Sequence, residues 1–397
     1  MTSTAQLEDY QWLTSDDAEP WLSRAAESSS ELVALTSHLR DHLSATRTHL
    51  VLEQVDLRRR GIAKFPQSSS LFFLRQLLQQ ATDQRIADYK AKSFPDGAPA
   101  ADLCCGIGGD SMSLGRRGPI ASIDRDPVAT CLAEANLTSC RIGQFQVLCQ
   151  PVDQVPLESY SAWHIDPDRR PAGRRTTQVD AHEPATAELN ELLRRNANAA
   201  IKLAPAAVLP ANWLPQAELE WIGHNRQCQQ LVARFGLLAS TPGLRRATVL
   251  DDSGSVATQI VGRGDEEVEL KKRVGRFVLE PHPAVLAAKL DGRLAAEHGA
   301  WQLSPLAAYY SADSCPTDLA FSAFELLETL PFDIKRIKRV VRHRDWKVTE
   351  VKKRGIDKEP ASVLKKLRGH GSQEVTLIIL GQPAGATAIL SRRIGSR

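Results

Sequence analysis

The sequence predicts an α/β fold with a parallel sheet, joined to a basic α+β region, and three observations support this. A short apolar run closes on Asp102 and is followed by a glycine cluster and by residues that can start a helix. A second apolar run, over residues 120–123, closes on Asp124. Lys and Arg dominate the last third of the chain. The order strand, loop, helix, strand, acid is half of a nucleotide-binding unit, so we expect a Rossmann-like central domain.

Composition sets the broad class. The 397 residues suffice for two or three domains, and 42% hydrophobic and 24% charged residues with a net charge of +3 are ordinary for a soluble protein. No apolar run approaches a membrane span, and the N-terminus lacks a basic start followed by an apolar core. Seven cysteines without CxxC pairs fit a reducing compartment and argue against a zinc site. We therefore expect a cytoplasmic protein without a resident metal ion or a membrane partner.

We expect three parts along the chain: a helical N-terminal segment over residues 1–95, the Rossmann-like domain over 96–265 and a basic α+β domain over 266–397. Leucines recur at helical spacing in the first part; they are Leu32, Leu35, Leu39, Leu43, Leu71, Leu74, Leu77 and Leu78. The segment 77–89 lies just before the first strand. Its residues Gln80, Ala81 and Thr82 are candidates for closing over a bound ligand.

The glycine cluster stands in the stretch DLCCGIGGD, residues 102–110. Glycines let the backbone adopt positive φ and approach a ligand closely. An acid before the loop repels a diphosphate and attracts an ammonium group, which favours S-adenosylmethionine over a dinucleotide. Asp124 is placed to accept hydrogen bonds from both ribose hydroxyls. The alternative for a lone glycine cluster is a surface turn, but the two acids and the strand and helix context argue against it.

The strand predicted over residues 161–165 ends in Asp166, Pro167 and Asp168. Open α/β sheets bind ligands beyond the carboxyl ends of their strands, so we expect this Asp-Pro sequence at the site. Asp166 can orient or deprotonate a nucleophile. A basic cluster follows, and it can bind phosphate or form internal salt bridges to nearby Asp residues; its members are Arg169, Arg170, Arg174 and Arg175.

The remaining elements are predicted from alternation and helical spacing. We expect strands over 145–148, 199–205, 219–223 and 246–250 and a helix over 188–196, and the sequence allows a helix over 225–235. Lys202 stands in a strand-like apolar run and looks buried. In the last third, strands are expected over 346–351, 374–380 and 386–390, and a helix over 360–367.

The last third is rich in cations, namely Lys335, Arg336, Lys338, Arg339, Arg342, Arg344, Lys347, Lys352, Lys353, Arg354, Lys365, Lys366 and Arg368. Such a basic module beside a catalytic domain is typical of a nucleic-acid binder. Basic stretches are also found as solvated faces, so the composition leaves both interpretations open.

Together these stretches resemble a known family. DLCCGIGGD, the Asp166 to Arg170 sequence, EPHPAV at residues 280–285 and KKRGI at 352–356 resemble bacterial class I S-adenosylmethionine-dependent methyltransferases that end in a THUMP-like domain. The cofactor domain is also similar to trimethylguanosine synthase. THUMP domains are associated with RNA binding, so the resemblance implies an RNA methyltransferase.

The predicted site residues combine this resemblance with the chemistry of the residues. Predicted to bind the cofactor S-adenosylmethionine are Asp102, Cys104, Gly106, Gly108, Gly109, Asp124, Arg125 and Asp153. The resemblance implies that Asp153 contacts the adenine amino group; a surface acid is the alternative. Asp166, Pro167 and Asp168 are the predicted catalytic residues, and the four arginines after them are predicted to bind substrate.

The Asp-Pro sequence departs from the family pattern at one place. Enzymes that methylate exocyclic amines usually have Asp or Asn, then two prolines and an aromatic residue there, whereas Asp168 and Arg169 follow in this chain. This removes the expected stacking platform. We expect an S-adenosylmethionine-dependent methyltransferase that acts on a nucleotide in RNA; the alternatives are a small-molecule or protein methyltransferase and a non-catalytic RNA-binding protein.

Overall fold

The computed structural model describes residues 4–28, 31–168 and 177–395. Contacts within the chain divide it into two compact units. The first consists of Met1–Glu218, Leu231–Pro242 and Ser253–Ser255, and the second of Leu219–Gln230, Gly243–Asp252 and Val256–Arg397. The three-part division with boundaries near residues 95 and 265 stays a prediction.

The first unit begins with helices and continues into a mixed α/β arrangement. Its helices are α1 Thr4–Leu13, α2 Glu19–Glu27, α3 Leu32–Arg40, α4 Ala45–Gly61, α5 Arg75–Gln80, α6 Gln84–Ala91, α7 Ser111–Leu114, α8 Pro127–Ser139 and α9 Thr186–Arg195. Its strands are β1 Ala100–Leu103, β2 Ile120–Asp124, β3 Phe145–Cys149, β4 Ala162–Ile165 and β5 Ala199–Leu203. Two strands follow in the chain at the division between the units. Strand β6, Glu218–His224, belongs to the second unit except for its first residue, and strand β7, Gln227–Arg234, has its second half in the first unit.

The sheet of the first unit has the strand order β3-β2-β1-β4-β5-β7. The first five strands are parallel, and β7 pairs with β5 in the antiparallel sense. Every residue of β1, β4 and β5 is buried, as expected for parallel strands that are covered on both faces. The predicted α/β fold class is therefore confirmed.

Local sequence explains where the elements begin. The Asp126 carboxylate accepts a hydrogen bond from the Val128 backbone N–H, and Pro127 occupies the first turn, so α8 starts at the predicted Asp-Pro pair. The leucine spacing is only partly helical, because α5 begins at Arg75 after an extended stretch. Asp83 then caps α6 by accepting from the Arg85 N–H.

One expectation is wrong. The sequence allowed a helix over residues 225–235, but the chain forms strand β7 there. Asn225 and Arg226 have φ values of 48° and 59°, so they form a tight turn before the strand. Hairpin turns of this kind prefer Asn-Gly, and the second residue here is an arginine, so the usual signal was weak.

The second unit is α+β. Its further strands are β8 Arg245–Leu250, β9 Val256–Gly262, β10 Phe277–Pro281, β11 Trp301–Ser304, β12 Ala307–Ala312, β13 Phe321–Pro331, β14 Trp346–Arg354, β15 Gln373–Gln382 and β16 Gly385–Arg393. Its helices are α10 Pro283–Ala288, α11 Asp291–Glu297, α12 Ile334–His343 and α13 Pro360–Leu367. Seven strands form a sheet in the order β11-β12-β10-β13-β16-β15-β14, in which only β14 and β15 run parallel.

Strand alternation divides the core of this sheet between its two faces. Leu377 and Ile379 of β15 pack with helices α12 and α13, whereas Ile378 and Leu380 pack with β10, β11 and β12. Burial of each such side chain contributes about 1.5–3 kcal/mol. Truncation of any one of these four side chains to Ala would remove packing from one face only.

Candidate functional site

The first unit contains a cleft of about 410 Å³ where β1, β2 and β4 end. This volume lies in the usual range for small-molecule sites, about 300–1,000 Å³. The cleft brings together most of the predicted site residues, namely Asp102, Cys104, Gly106, Gly109, Asp124, Arg125, Asp153, Asp166, Pro167 and Asp168. Gln80, Ala81 and Thr82 line it as well. Arg169, Arg170, Arg174 and Arg175 lie outside the described residues.

The glycine loop and Asp124 hold each other in place. Gly106 has a φ of 54°, which favours glycine, and its N–H donates to Asp124 Oδ2 at 2.9 Å. The Asp126 N–H donates to Asp124 Oδ1 at 3.0 Å. Burial raises the pKa of Asp124, although these two hydrogen bonds oppose the shift. The carboxylate is thereby fixed at the end of β2, on the wall of the cleft.

Gly108 has a different environment from the rest of the loop. Its φ is 79°, and a Cβ atom there would lie 3.5 Å from the Ala133 Cβ of α8. It faces the helix, and it is not among the residues that line the cleft. The structure therefore places Gly108 where the loop packs on α8, and its predicted contact with a cofactor stays a prediction.

A buried chain of polar groups lies beneath the loop. Parallel pairing puts Asp102 beside His164, whose Nδ1 lies 2.7 Å from Asp102 Oδ1. The Ser111 hydroxyl donates to the other oxygen of Asp102 at 2.5 Å. Lys90 Nζ lies 3.2 Å from His164 Nε2 and 2.6 Å from Asp110 Oδ1. Because an ammonium group only donates, His164 accepts at Nε2 and carries its proton on the side of Asp102.

The chain ends at the segment before the first strand. The Thr82 hydroxyl donates to Asp110 Oδ2 at 2.8 Å. Burial raises the pKa of Asp110, but the charge of Lys90 outweighs this effect and holds the pKa below its usual range. All members except Asp110 and Thr82 are at most 3% exposed, so each charge depends on its neighbour rather than on water.

Lys202 makes the equivalent contact with Asp166, one of the predicted catalytic residues. Its Nζ lies 2.5 Å from Asp166 Oδ2 and donates to the Gln80 carbonyl at 3.3 Å. Ile165 and Ile201 are paired in the sheet, which brings the next residues of the two strands together. An ionised carboxylate only accepts hydrogen bonds, so the paired Asp166 can orient an N–H or O–H group of an acceptor.

Lys64 and Lys202 contact the segment 78–82 that borders the cleft, and Lys90 acts on it through Asp110. Lys64 Nζ donates to the carbonyls of Leu78, Gln79 and Ala81 at 2.9, 3.0 and 2.7 Å. Burial, with the charge of Lys202, lowers the pKa of Lys64 to about 8. This segment is therefore held on one wall of the cleft by side chains that are buried or half-buried.

The opposite rim is closed by Arg125 and Glu183, which form an ion pair. The Glu183 backbone also forms a bridge with Asp168, with N–H···O distances of 2.8 and 2.9 Å. This contact places Asp168 beside the Arg125 loop. Arg125 was predicted to bind the cofactor, and its partner Glu183 was missed because no motif surrounds it.

The cleft is strongly acidic. Its described lining contains nine carboxylates and a single cationic side chain, Arg125. Such a wall repels phosphate groups and suits a ligand with positive charge. S-Adenosylmethionine carries an ammonium and a sulfonium group, so the donor set fits this cofactor. The role of each predicted residue in holding it stays a prediction.

Sequence reasoning missed His164 and Lys90 as site residues, whereas Thr82 was among the candidates for closing over the ligand. His164 stands in the middle of a buried strand and Lys90 on the buried side of a helix, and burial of such residues requires a partner. That signal could have singled them out, as it did Lys202. The acidic partners of His164 and Lys90 depend on how the strands and helices are arranged in the fold, and the motifs alone did not provide this arrangement.

Helices α12 and α13 of the second unit bear a cationic face. It comprises Lys335, Arg336, Lys338, Arg339, Arg342, Lys365, Lys366 and Arg368, of which only Lys338 is partly buried. Among described residues, none of these eight forms an ion pair. Ile337 and Val341 hold α12 on the sheet from its other side. No described helix has the length and apolar character needed to cross a membrane.

Comparison with known proteins agrees with this architecture. The family model for THUMP domain-like sequences matches residues 321–393. Uncharacterized S-adenosylmethionine-dependent methyltransferases from two strains of Mycobacterium tuberculosis, CDC 1551 and H37Rv, are 29% identical over 352 residues, which are 86% of this chain and 94% of theirs. The crystal structure of a candidate methyltransferase from Porphyromonas gingivalis W83 superposes with a TM-score of 0.79 at 18% identity, over 99% of both chains.

These similarities confirm the predicted resemblance to S-adenosylmethionine-dependent methyltransferases with a THUMP-like C-terminal domain. They also agree with the acidic cleft, because the cofactor of such enzymes is cationic. The likeness of the cofactor domain to trimethylguanosine synthase stays a prediction.

Proposed function

We propose that this protein, an S-adenosylmethionine-dependent methyltransferase, methylates a nucleotide of RNA in the cytoplasm. The observation that supports methyl transfer most directly is the acidic cleft at the carboxyl ends of β1, β2 and β4. Bound S-adenosylmethionine would supply a methyl group that its sulfonium already activates. The protein's part is then placement of the acceptor and exclusion of water.

The residues of the cleft divide this work between them. Asp124, held by the Gly106 and Asp126 N–H groups, would bind the cofactor's ribose hydroxyls. Asp153, at the exposed rim, would accept from the adenine amino group. Asp166, paired with Lys202, would accept a hydrogen bond from the group to be methylated and so orient its lone pair.

The RNA substrate is inferred from the second unit. The cationic face contains eight cations that form no ion pair with a described carboxylate, and such a surface attracts phosphate. THUMP domains are associated with RNA binding, and a THUMP-like match covers this face. The acidic cleft would repel the backbone phosphates, so we expect the target base to enter it without them.

A second candidate is a methyltransferase for a small molecule. It is favoured by one observation: no aromatic side chain lines the described part of the cleft, so a stacking platform for a base is lacking there. On this alternative the cationic face serves another purpose. The two candidates differ in whether affinity for RNA falls steeply with salt.

The test is transfer of labelled methyl from S-adenosylmethionine to total RNA from cells that lack this protein, with protein extract and a small-molecule fraction in parallel. We expect label in RNA. Label confined to the small-molecule fraction would replace the proposal with the second candidate. Label in no fraction, with cofactor binding measured directly, would leave a non-catalytic binder.

The cofactor site is tested in the same protein by Asp124→Ala. We expect S-adenosylmethionine affinity to fall about tenfold to a hundredfold, because two hydrogen bonds to a charged group are lost. Asp96→Ala is the matched control, since Asp96 is 77% exposed and does not line the cleft. Affinity that is equal in both variants would contradict the assignment of Asp124.

A further inference from the structure

Two sequence stretches that the proposed function does not use meet in the second unit. They are EPHPAV at residues 280–285 and KKRGI at 352–356. Lys352 Nζ lies 2.8 Å from Glu280 Oε2, and the Arg354 guanidinium lies 3.5 Å from Glu280 Oε1. The Tyr309 hydroxyl donates to Glu280 Oε1 at 3.1 Å. Glu280 is therefore the centre at which the two stretches join.

The cations around this centre outnumber the acids. The Arg226 guanidinium lies 3.8 Å from Glu280 Oε2. The Arg393 guanidinium lies 2.9 Å from Glu350 Oε2, and Lys352 Nζ lies 3.5 Å from Glu350 Oε1. We call this group the Glu280 cluster; it comprises Arg226, Glu280, Glu350, Lys352, Arg354 and Arg393. Four cations face two carboxylates, which leaves an excess of two positive charges.

This excess lies where water screens it poorly. The side chains of Glu280, Lys352 and Arg393 are 11%, 21% and 23% exposed. Arg393 and Lys352 lie over the Phe324 ring at 4.7 and 5.8 Å. Burial lowers the pKa of Arg226. Repulsion between cations is stronger at such positions than on an open surface, so the cluster lacks negative charge.

A buried hydrogen-bond donor points to the same deficit. His282 is 1% exposed, and its Nδ1 accepts from the Ala284 N–H at 3.1 Å, which puts the ring proton on Nε2. Among the described residues, no partner faces this Nε2. Burial lowers the pKa of His282 to about 4, and the charge of Arg226 adds to the shift, so the ring lies within electrostatic reach of the cluster. An unpaired buried donor within electrostatic reach of Arg226 is a second polar group that lacks an acceptor.

We propose that the Glu280 cluster binds a phosphate monoester, with Arg226 and Arg393 as its principal cations. A monoester carries about −1.5 to −2 charges at neutral pH, which matches the excess, whereas an internal RNA phosphate carries one. Guanidinium groups also match phosphate oxygens in geometry. The ligand is either the terminal phosphate of an RNA or a small phosphorylated molecule. This site is independent of the acidic cleft and of methyl transfer.

The experiment uses the full-length protein without S-adenosylmethionine, so that failure of the methyltransferase proposal does not affect it. Binding of inorganic phosphate, of a nucleoside monophosphate and of one RNA oligonucleotide with either a 5′-phosphate or a 5′-hydroxyl is measured at constant ionic strength. The variants are Arg226→Gln and Arg393→Gln. The control is Arg276→Gln, an arginine of the same unit that pairs with Glu325 and lies over Phe277.

We expect phosphate and monophosphate affinity to fall about tenfold in each variant and to stay unchanged in the control, since one charge-assisted contact has about this effect. Preference for the 5′-phosphorylated oligonucleotide, lost in Arg226→Gln, would identify an RNA end. Equal binding of both oligonucleotides would identify a small phosphorylated ligand. Equal phosphate affinities in Arg226→Gln and the control would overturn the proposal. The side chain of Arg226 is 41% exposed, so we expect the Arg226→Gln variant to fold.

Discussion

The buried cleft of the first unit and the cationic face of the second unit use charge in opposite ways. In and below the cleft, the buried Lys90 and Lys202 each have an acidic partner. On the cationic face, eight cations form no ion pair with a described acid. A buried charge must be paired because desolvation is costly, whereas an exposed charge is stabilised by water and stays available to a partner. The difference indicates that the first region fixes geometry and the second attracts a ligand.

Removal of a buried partner should therefore cost most. In Lys90→Met, Asp110 keeps its burial but loses the cation 2.6 Å away. We expect the free energy of unfolding in urea to fall by about 3–5 kcal/mol, the usual effect of breaking a buried pair. Lys92→Met is the matched control, because Lys92 is exposed at the end of the same helix, and its effect should stay within about 0.5 kcal/mol.

The pH dependence separates this effect from lost packing. Burial raises the pKa of Asp110, but the charge of Lys90 outweighs burial and lowers this pKa in the folded protein. The ion pair therefore stabilises the native protein at pH values above the unfolded pKa of Asp110, and this stabilisation is lost as pH falls through the lower folded pKa. In Lys90→Met burial is less opposed, so we expect the folded pKa of Asp110 to rise above the unfolded one, and stability should then increase as pH falls through this raised pKa. A variant whose stability follows the native pH profile would rule out the charge pair as the cause.

Lys202→Met should act on turnover rather than on stability alone. Asp166 would lose the contact that holds its carboxylate, and we expect kcat for methyl transfer to fall about tenfold to a hundredfold. The affinity for S-adenosylmethionine should change much less, because Asp124 is untouched. The double variant with Asp166→Asn tests the pairing: it should be about as slow as the single variants. Multiplied losses would mean that the two residues act separately.

The same contrast explains what the sequence could predict. The strand that ends at Asp124, the start of α8 after Asp126 and the strand predicted from alternation over 346–351 depend on a few neighbouring residues, and the structure confirms them. The cations of α12 were also visible in the composition of the last third, although the sequence analysis predicted no helix over residues 334–343. Local patterns of this kind require no knowledge of the tertiary fold.

The buried pairs could not be found in this way. Lys90 meets Asp110, and Lys202 meets Asp166, only because particular strands and helices come together. Burial of Lys202 was visible from its apolar neighbours, but its partner was not. The turn at Asn225 was missed for the same reason, since an arginine at positive φ is tolerated by tertiary contacts rather than favoured locally.

The smallest effect is expected on the cationic face, where water shares the charge. Lys335, Arg339 and Arg342 lie on one side of α12, and changing all three to Gln should lower the slope of log affinity for RNA against log salt by about two, since each phosphate contact contributes about 0.7–0.9. The control changes Lys271, Arg273 and Arg276 to Gln, which are paired with Glu269, Asp313 and Glu325. Equal slopes for the two triple variants would mean that unpaired cations are not the RNA contact, and that the face is merely solvated.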